Sequence, residues 1–199
     1  FHSLGVKILR EAIHYLGFSP QFLIYDEEDV EKLLRTLIKE TFPSAVNIDL
    51  KAARSSISSA KNSLSSTCEN EFSELYELYR KRMKECNACD FDDLLFLPVT
   101  LFREFPDVLA YYQNRWPYVL VDEYQDTNKV QFKLMCLLVG PETGVTVVGD
   151  PDQSIYKFRG AEPKNFDDMK ARYSDFCECT LTTNYRSIQP ILDTCIKLI

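Results

Sequence analysis

Apolar positions in the first half of the chain recur at the spacing of helices. Within residues 3–17, Leu9, Ala12, Ile13 and Leu16 share one face, with Ser3 placed to cap the start and Gly17 to end it. From Asp26 acids crowd a first turn. Val30, Leu33, Leu34, Leu37 and Ile38 follow at i, i+3, i+4, i+7 and i+8, and Thr41, Phe42 and Pro43 close that helix. Residues 55–66 hold seven serines in twelve positions, yet Leu50, Ala53, Ile57, Ala60 and Leu64 keep a seven-residue rhythm. A weak helix and a mobile loop both fit that stretch, and the rhythm favours the helix. Phe72, Leu75, Tyr76, Tyr79 and Met83 mark a clearer one. Asp90 is placed to cap another, which runs through Leu94 and Leu95 and is expected to bend at Pro98.

After Trp116 and Pro117 the pattern changes. Tyr118–Val121 and residues 145–148 are short runs rich in β-branched residues, each ended by an acid-bearing turn, Asp122-Glu123 and Gly149-Asp150. Between them, residues 128–139 place Val130, Leu134, Leu137 and Leu138 on one face. Asn128 and Gln131 have the spacing of a capping box, and Gly140-Pro141 is a stop. Strand, helix, strand with apolar runs predicts an α/β fold whose parallel sheet is covered on both faces. The chain thus divides into a mainly helical part, residues 1–115, and an α/β part from residue 116.

The 199 residues, 45% of them hydrophobic, suffice for one ordinary core or one core and a satellite. A net charge of −7 argues against coating nucleic acid through bulk electrostatics, though a local groove remains open. No apolar run approaches the roughly 18 residues of a membrane span, and no secretion signal opens the chain. Seven cysteines, an odd number at low density, suit a reducing intracellular setting, the nucleus if the source is eukaryotic. Cys86 and Cys89 have half of a zinc-site spacing and Cys177 with Cys179 offers an unusual second half, but no histidine lies nearby; they read as free thiols. Because the chain starts at Phe1 rather than Met, it is expected to be a piece of a longer protein.

Chemistry concentrates where the strands end. The stretch VLVDEYQDTN, residues 119–128, drops from a buried run into two adjacent acids. In open α/β sheets ligands bind at the carboxyl ends of strands. Two neighbouring carboxylates are costly unless a cation or a proton-transfer task occupies them, and magnesium with a nucleotide phosphate is the common occupant. One acid would hold hydrated Mg²⁺ and the other would orient the attacking water. Taken alone, the same acids could equally belong to a helix N-cap cluster with Asp126, Thr127 or Asn128.

Three motifs narrow the choice: DEYQDTN from Asp122, VVGDPDQSIYKFRGA at residues 147–161 and NYRS at residues 184–187. In this order and spacing they closely resemble the UvrD/Rep/PcrA-type DNA helicases of superfamily one. Phe1-His2-Ser3 looks like the end of that family's Thr-Phe-His-Ser motif, lacking its Thr, and FDDLL at residues 91–95 also matches. The resemblance implies a partial RecA-like P-loop NTPase core with an all-α insertion subdomain. The core would cover residues 116–181, the start of a second RecA-like core residues 182–199, and the insertion residues 18–115. ATP and Mg²⁺ are the implied cofactors; single-stranded DNA, single-strand/duplex junctions and the remaining helicase domains are the implied partners, with no membrane.

Residue by residue, the resemblance makes Asp122 the Mg²⁺ ligand, with Glu123 beside it as the general base that activates water. Gln153 matches the glutamine that senses the γ-phosphate, Arg186 the arginine finger, and Tyr185 the residue that stacks on adenine. Tyr156, Phe158 and Arg159 alternate aromatic and cation, suited to stacking on single-stranded bases. Phe158 stands where many relatives have Trp. His2 and Ser3 match a DNA-contacting position at a helix N-terminus. Each has a plainer reading, as core aromatics, a surface ion pair or ordinary capping. None of the six glycines is followed by Lys, so the sequence holds no Gly-x-x-x-x-Gly-Lys-Ser/Thr loop. The relatives carry it upstream of Phe-His-Ser, so these residues alone are not expected to turn over ATP at a helicase-like rate. A non-catalytic module derived from a helicase and a part of a helicase–nuclease share the same motifs.

Overall fold

The computed structural model describes residues 1–42, 48–68, 71–154 and 164–197. Its helical part opens with α1, His2–Ala12, continued by a 3-10 turn, Ile13–Leu16, and ended by Gly17 at φ +79°. Gly17 is the expected stop, since that backbone region favours a residue without Cβ. Ser3 is not the cap: it lies inside the helix, and Phe1 holds the N-cap position with no side-chain hydrogen bond. Phe1 is packed against two apolar clusters.

α2, Glu27–Thr41, starts from a capping box in which Asp26 and Asp29 each accept the other's backbone N–H. The serine-rich stretch lies largely in a helix, α3, Leu50–Asn62, which Asp49 caps. α4 is Ser73–Glu85. These three bury Leu34, Leu37, Ala53, Ile57, Tyr76 and Tyr79 against one another. Two parallel pairs, Leu23 with Ala88 and Ile24 with Cys89, form strands β1 and β2, and tie the chain between α1 and α2 to the end of α4.

α5, Asp93–Glu104, holds Pro98 in its interior. Proline has no N–H for the carbonyl four residues back, Leu94, and it is against Leu94 that α1 packs. A side chain at Gly5 would overlap the Leu94 carbonyl oxygen. α6, Pro106–Arg115, follows with proline in its first turn.

The α/β part begins with β3, Tyr118–Val121, pairs it in parallel with β4, Gly144–Val147, and connects them through α7, Lys129–Leu138. Asn128 and Gln131 form the expected capping box. Ile8 of α1, Val99 and Phe102 of α5, Tyr112 of α6 and Leu134 and Leu138 of α7 share one cluster. Burying each such side chain contributes about 1.5–3 kcal/mol. Val119, Val121, Val145 and Val147 pack towards α7 and α8, Asn165–Arg172, whereas Tyr118 and Leu120 are 75% and 77% exposed. Among the described residues the sheet is therefore covered on one face, where its apolar runs suggested two: the crossover α7 and the returning α8 lie on the same side. A last helix, α9, Gln189–Ile196, has no buried residue. Among the described residues no helix is long and apolar enough to cross a membrane.

A buried polar cluster joins the helical layers. The Lys61 ammonium at the end of α3 lies 2.6 Å from Asp90 Oδ2 and 2.7 Å from Asp93 Oδ1. Tyr79 donates its hydroxyl to Asp90 at 2.7 Å, and Asp90 and Asp93 accept each other's backbone N–H. Asp90 is not the N-cap of α5, as the sequence suggested: Asp92 holds that position without a side-chain bond, and Asp90, two residues ahead of it, accepts the N–H of the first helical residue, Asp93. Next to it, Asn62 donates to Asp92 and accepts from Asn128, so the end of α3 also touches the N-cap of α7.

Candidate active site

The site is built on two strand ends held side by side. Val148 N–H donates to Val121 O at 2.8 Å, and Tyr124 N–H returns a bond to Val148 O at 2.9 Å. The chain leaving β3 must turn away at once. Asp122 is exposed and accepts the Glu123 N–H at 2.9 Å, and Glu123 takes φ +50° and ψ +44°. That left-handed conformation costs a non-glycine residue on the order of 1–3 kcal/mol and persists only where neighbours enforce it.

The neighbours here are strongly anchored. Tyr124 is fully buried, its hydroxyl donating to Asn165 O at 3.1 Å, and burial drives its ionisation far above the ordinary tyrosine range. Thr127 donates to Tyr124 O, and Asn165 Nδ2 donates to both Thr127 oxygens. The strained Glu123 thus sits between a pinned strand end and a pinned 3-10 turn, Tyr124–Asp126.

The second strand end supplies the opposite wall. After Val148 comes Gly149, where an added Cβ would lie 2.6 Å from Gln125 Oε1 and 3.0 Å from Tyr124 N, so only glycine lets the two turns meet. A 3-10 turn follows, Pro151–Gln153. Asp150 organises it, Oδ1 accepting from Asp152 N–H at 3.0 Å and Oδ2 from Gln153 Nε2 at 2.8 Å.

Gln125 connects the two walls. It is 2% exposed, two residues after the exposed pair Asp122 and Glu123. Its Nε2 donates to Glu123 Oε2 at 2.7 Å, its Oε1 accepts the Asp150 N–H at 3.0 Å, and its backbone oxygen accepts from Ser154 Oγ at 3.3 Å. An unbroken hydrogen-bonded path therefore runs from Glu123 through Gln125 and Asp150 to Gln153. Sequence reasoning picked out the two ends and missed Gln125, Asp150 as an organiser, and Gly149. A glutamine two residues after an acid gives no periodic signal of burial; the glycine after a β-branched run was the only clue.

The structure thus brings Asp122, Glu123 and Gln153 to one place. It leaves Tyr185 (94% exposed) and Arg186 apart: both lie on a surface segment where the Asn184 side chain accepts the Arg186 and Ser187 N–H groups. Among the described residues no hydrogen bond or ion pair joins Arg186 to the acids. His2 and Ser3 are exposed at the start of α1, with the His2 ring edge-on to Phe91 at 6.1 Å between centroids. Tyr156, Phe158 and Arg159 lie outside the described residues.

Neither acid has a cationic partner among the described residues, and no group of three or more metal-ligating side chains occurs among them. Two concavities of about 370 and 880 Å³ open elsewhere, one lined by Lys61, Tyr76 and Phe96, the other by Tyr15, Phe105 and Tyr111.

Comparison with known proteins points the same way. The model of the UvrD/REP helicase N-terminal domain matches residues 1–174. The chain is 38% identical to an ATP-dependent DNA helicase Rep from Buchnera aphidicola subsp. Baizongia pistaciae, over all of this chain and 31% of that protein. It is 37% identical to an ATP-dependent DNA helicase PcrA from Leuconostoc citreum, over 97% of this chain and 27% of that one. With a PcrA from Staphylococcus aureus it shares 34% identity, over 100% and 29%. The chain spans about a third or less of the length of these relatives, and all three are bacterial, which lends no support to a nuclear setting.

Proposed function

The chain belongs to the UvrD/REP helicase family, and on that premise we propose that it forms part of the ATP-hydrolysing core of a DNA helicase that moves on single-stranded DNA and separates duplex. The observation that carries the reading is the juxtaposition of the two strand-end turns, with Asp122 and Glu123 on one and Gln153 on the other, linked through Gln125 and Asp150.

The residues fit magnesium and a nucleotide triphosphate. Two adjacent, exposed carboxylates without a cationic partner among the described residues suit a divalent ion that keeps several waters, and a neutral amide nearby suits a phosphate oxygen. Asp122 would hold the ion, which when bound supplies charge neutralisation on the phosphates. Glu123 accepts a proton from the attacking water through the carboxylate oxygen that Gln125 leaves open. Gln153, on a turn able to change partners, reports the γ-phosphate. Phosphate cradling needs a Gly-Lys loop that these residues lack, so it falls to chain outside them.

Arg186 as arginine finger and Tyr185 as adenine platform belong to the proposal too. Their exposure on the segment after residue 181 agrees with a role completed when a second core closes on the first. The assignment of residues 1–115, 116–181 and 182–199 to a mainly helical insertion part, the first RecA-like core and the second core is likewise proposed. DNA contact by His2, Ser3, Tyr156, Phe158 and Arg159, preference for single-strand/duplex junctions, 3'-to-5' movement and service in DNA repair or recombination complete it.

The test is Glu123→Gln in the complete protein. Single-stranded-DNA-stimulated ATP hydrolysis should fall by about 100-fold or more, the scale of a general base, while ATP still binds. Undiminished turnover would refute the assignment.

A further inference from the structure

We propose that Gln125 is a positioning residue for ATP hydrolysis, a buried amide that orients the Glu123 carboxylate and makes that orientation follow the turn carrying Gln153. The inference rests on the reading of Glu123 as the base.

The orientation of the amide is dictated by its surroundings. Asp150 N–H is a main-chain donor and nothing else, so the Gln125 atom facing it at 3.0 Å must be the oxygen. The NH₂ is then forced towards Glu123 Oε2, 2.7 Å away, and can only donate. One carboxylate oxygen of Glu123 is thereby held by a neutral donor, while no hydrogen bond to the other is present among the described residues. The backbone of Glu123 is already held at φ +50°, and among the described residues the Gln125 amide is the one hydrogen-bond donor to its carboxylate.

The far end of the amide reads the other turn. Asp150 carries the Gln153 amide on Oδ2 and the Asp152 N–H on Oδ1. A shift of Gln153 towards or away from a phosphate therefore loads Asp150, whose N–H is the contact that sets Gln125. Gly149 makes the approach possible, since a Cβ there would displace Gln125 Oε1.

Two near-isosteric substitutions in the complete protein separate positioning from mere support. Gln125→Met removes both bonds at similar length. Gln125→Glu can still accept the Asp150 N–H but when ionised sets carboxylate against carboxylate; once protonated it regains a donor for Glu123. Both should lower kcat for DNA-stimulated hydrolysis about 10- to 100-fold, with affinity for a non-hydrolysable ATP analogue close to the parent's and, at a pH where the carboxyl introduced by Gln125→Glu is protonated, a melting temperature close to the parent's in both. The Gln125→Glu deficit should shrink from pH 8.5 to pH 6, and the Gln125→Met deficit should not. Parent-like kcat in Gln125→Met, or kcat, analogue affinity and melting temperature falling together with the same pH response in both variants, would overturn the proposal while leaving Glu123→Gln inactive. Full activity in Glu123→Gln would overturn the reading beneath it as well.

Discussion

Replacing Lys61 with Met should cost the chain much of its stability, by an amount that depends on pH. Lys61 is 2% exposed and its ammonium serves two carboxylates, Asp90 and Asp93, that are each only 7% exposed. Burial opposes the charge on Lys61, but the two acids outweigh it and hold the amine protonated well above the usual lysine range. Between the acids the roles divide. For Asp90 burial works against ionisation, yet Lys61 and the Tyr79 hydroxyl overcome it and keep its carboxyl below the ordinary value. For Asp93 burial, reinforced by the charge of Asp90, prevails and pushes the carboxyl up to about 7.

Removing one partner of a buried pair costs about 3–5 kcal/mol, because the charge left behind has lost its compensation. At pH 8 both carboxylates are ionised and the full penalty applies. At pH 5.5 Asp93 takes up a proton, the cluster loses one negative charge, and the penalty shrinks. The sign agrees with linkage: Asp93 has a folded value above the unfolded one near 4, so its contribution favours folding at low pH and is lost as pH rises towards 7. Urea unfolding at the two pH values, for the parent chain, Lys61→Met, Asp93→Asn and the double variant, provides the measurement. Lys61→Met should lose about 3–5 kcal/mol at pH 8 and clearly less at pH 5.5, and Asp93→Asn should recover part of the loss. A loss of less than about 1 kcal/mol at both pH values, or a greater loss in acid, would refute the reasoning.

Three further substitutions test other joints. Gly149→Ala should lower DNA-stimulated ATP turnover much as Gln125→Met does, since its Cβ displaces Gln125 Oε1; steady-state kinetics check it. Gly5→Ala forces α1 off the Leu94 carbonyl and should destabilise by roughly 1–3 kcal/mol in thermal melts. Asp26→Ala removes the α2 capping box and should cost about 1 kcal/mol without changing the kcat of ATP turnover.

The elements legible in the sequence were those whose signals are local. The cap of α7 could be read from Asn128 with Gln131, and the acids from Asp26 marked the first turn of α2, because such signals act within one turn. The rhythm Ala53, Ile57, Ala60 outlasted seven serines for the same reason, since a stripe of small residues is enough where Tyr76 and Tyr79 fill the space opposite. Lys61 shares that stripe, eight residues after Ala53, and a lysine on an apolar face was the missed sign of a buried cation. The strands β1 and β2 are two residues each, too short for any alternation to register.

The site divides along the same line. Asp122, Glu123 and Gln153 stand out as residue types at strand ends. The burial of Gln125 and the crowding at Gly149 arise only when two turns 25 residues apart meet, and no window of sequence contains that encounter. Arg186 and Tyr185 could be named by motif, but among the described residues both stand exposed with no hydrogen bond or ion pair to the two strand-end turns.

The most direct measurement is a crystal structure of the complete protein with Mg²⁺, ADP and aluminium fluoride as a mimic of the transferring phosphate. The account predicts the ion at Asp122, a water between the mimic and Glu123, and the Gln153 amide facing the fluoride. A nucleotide bound away from the two strand ends, or a Glu123 side chain turned from the attacking water while still bonded to Gln125, would contradict it.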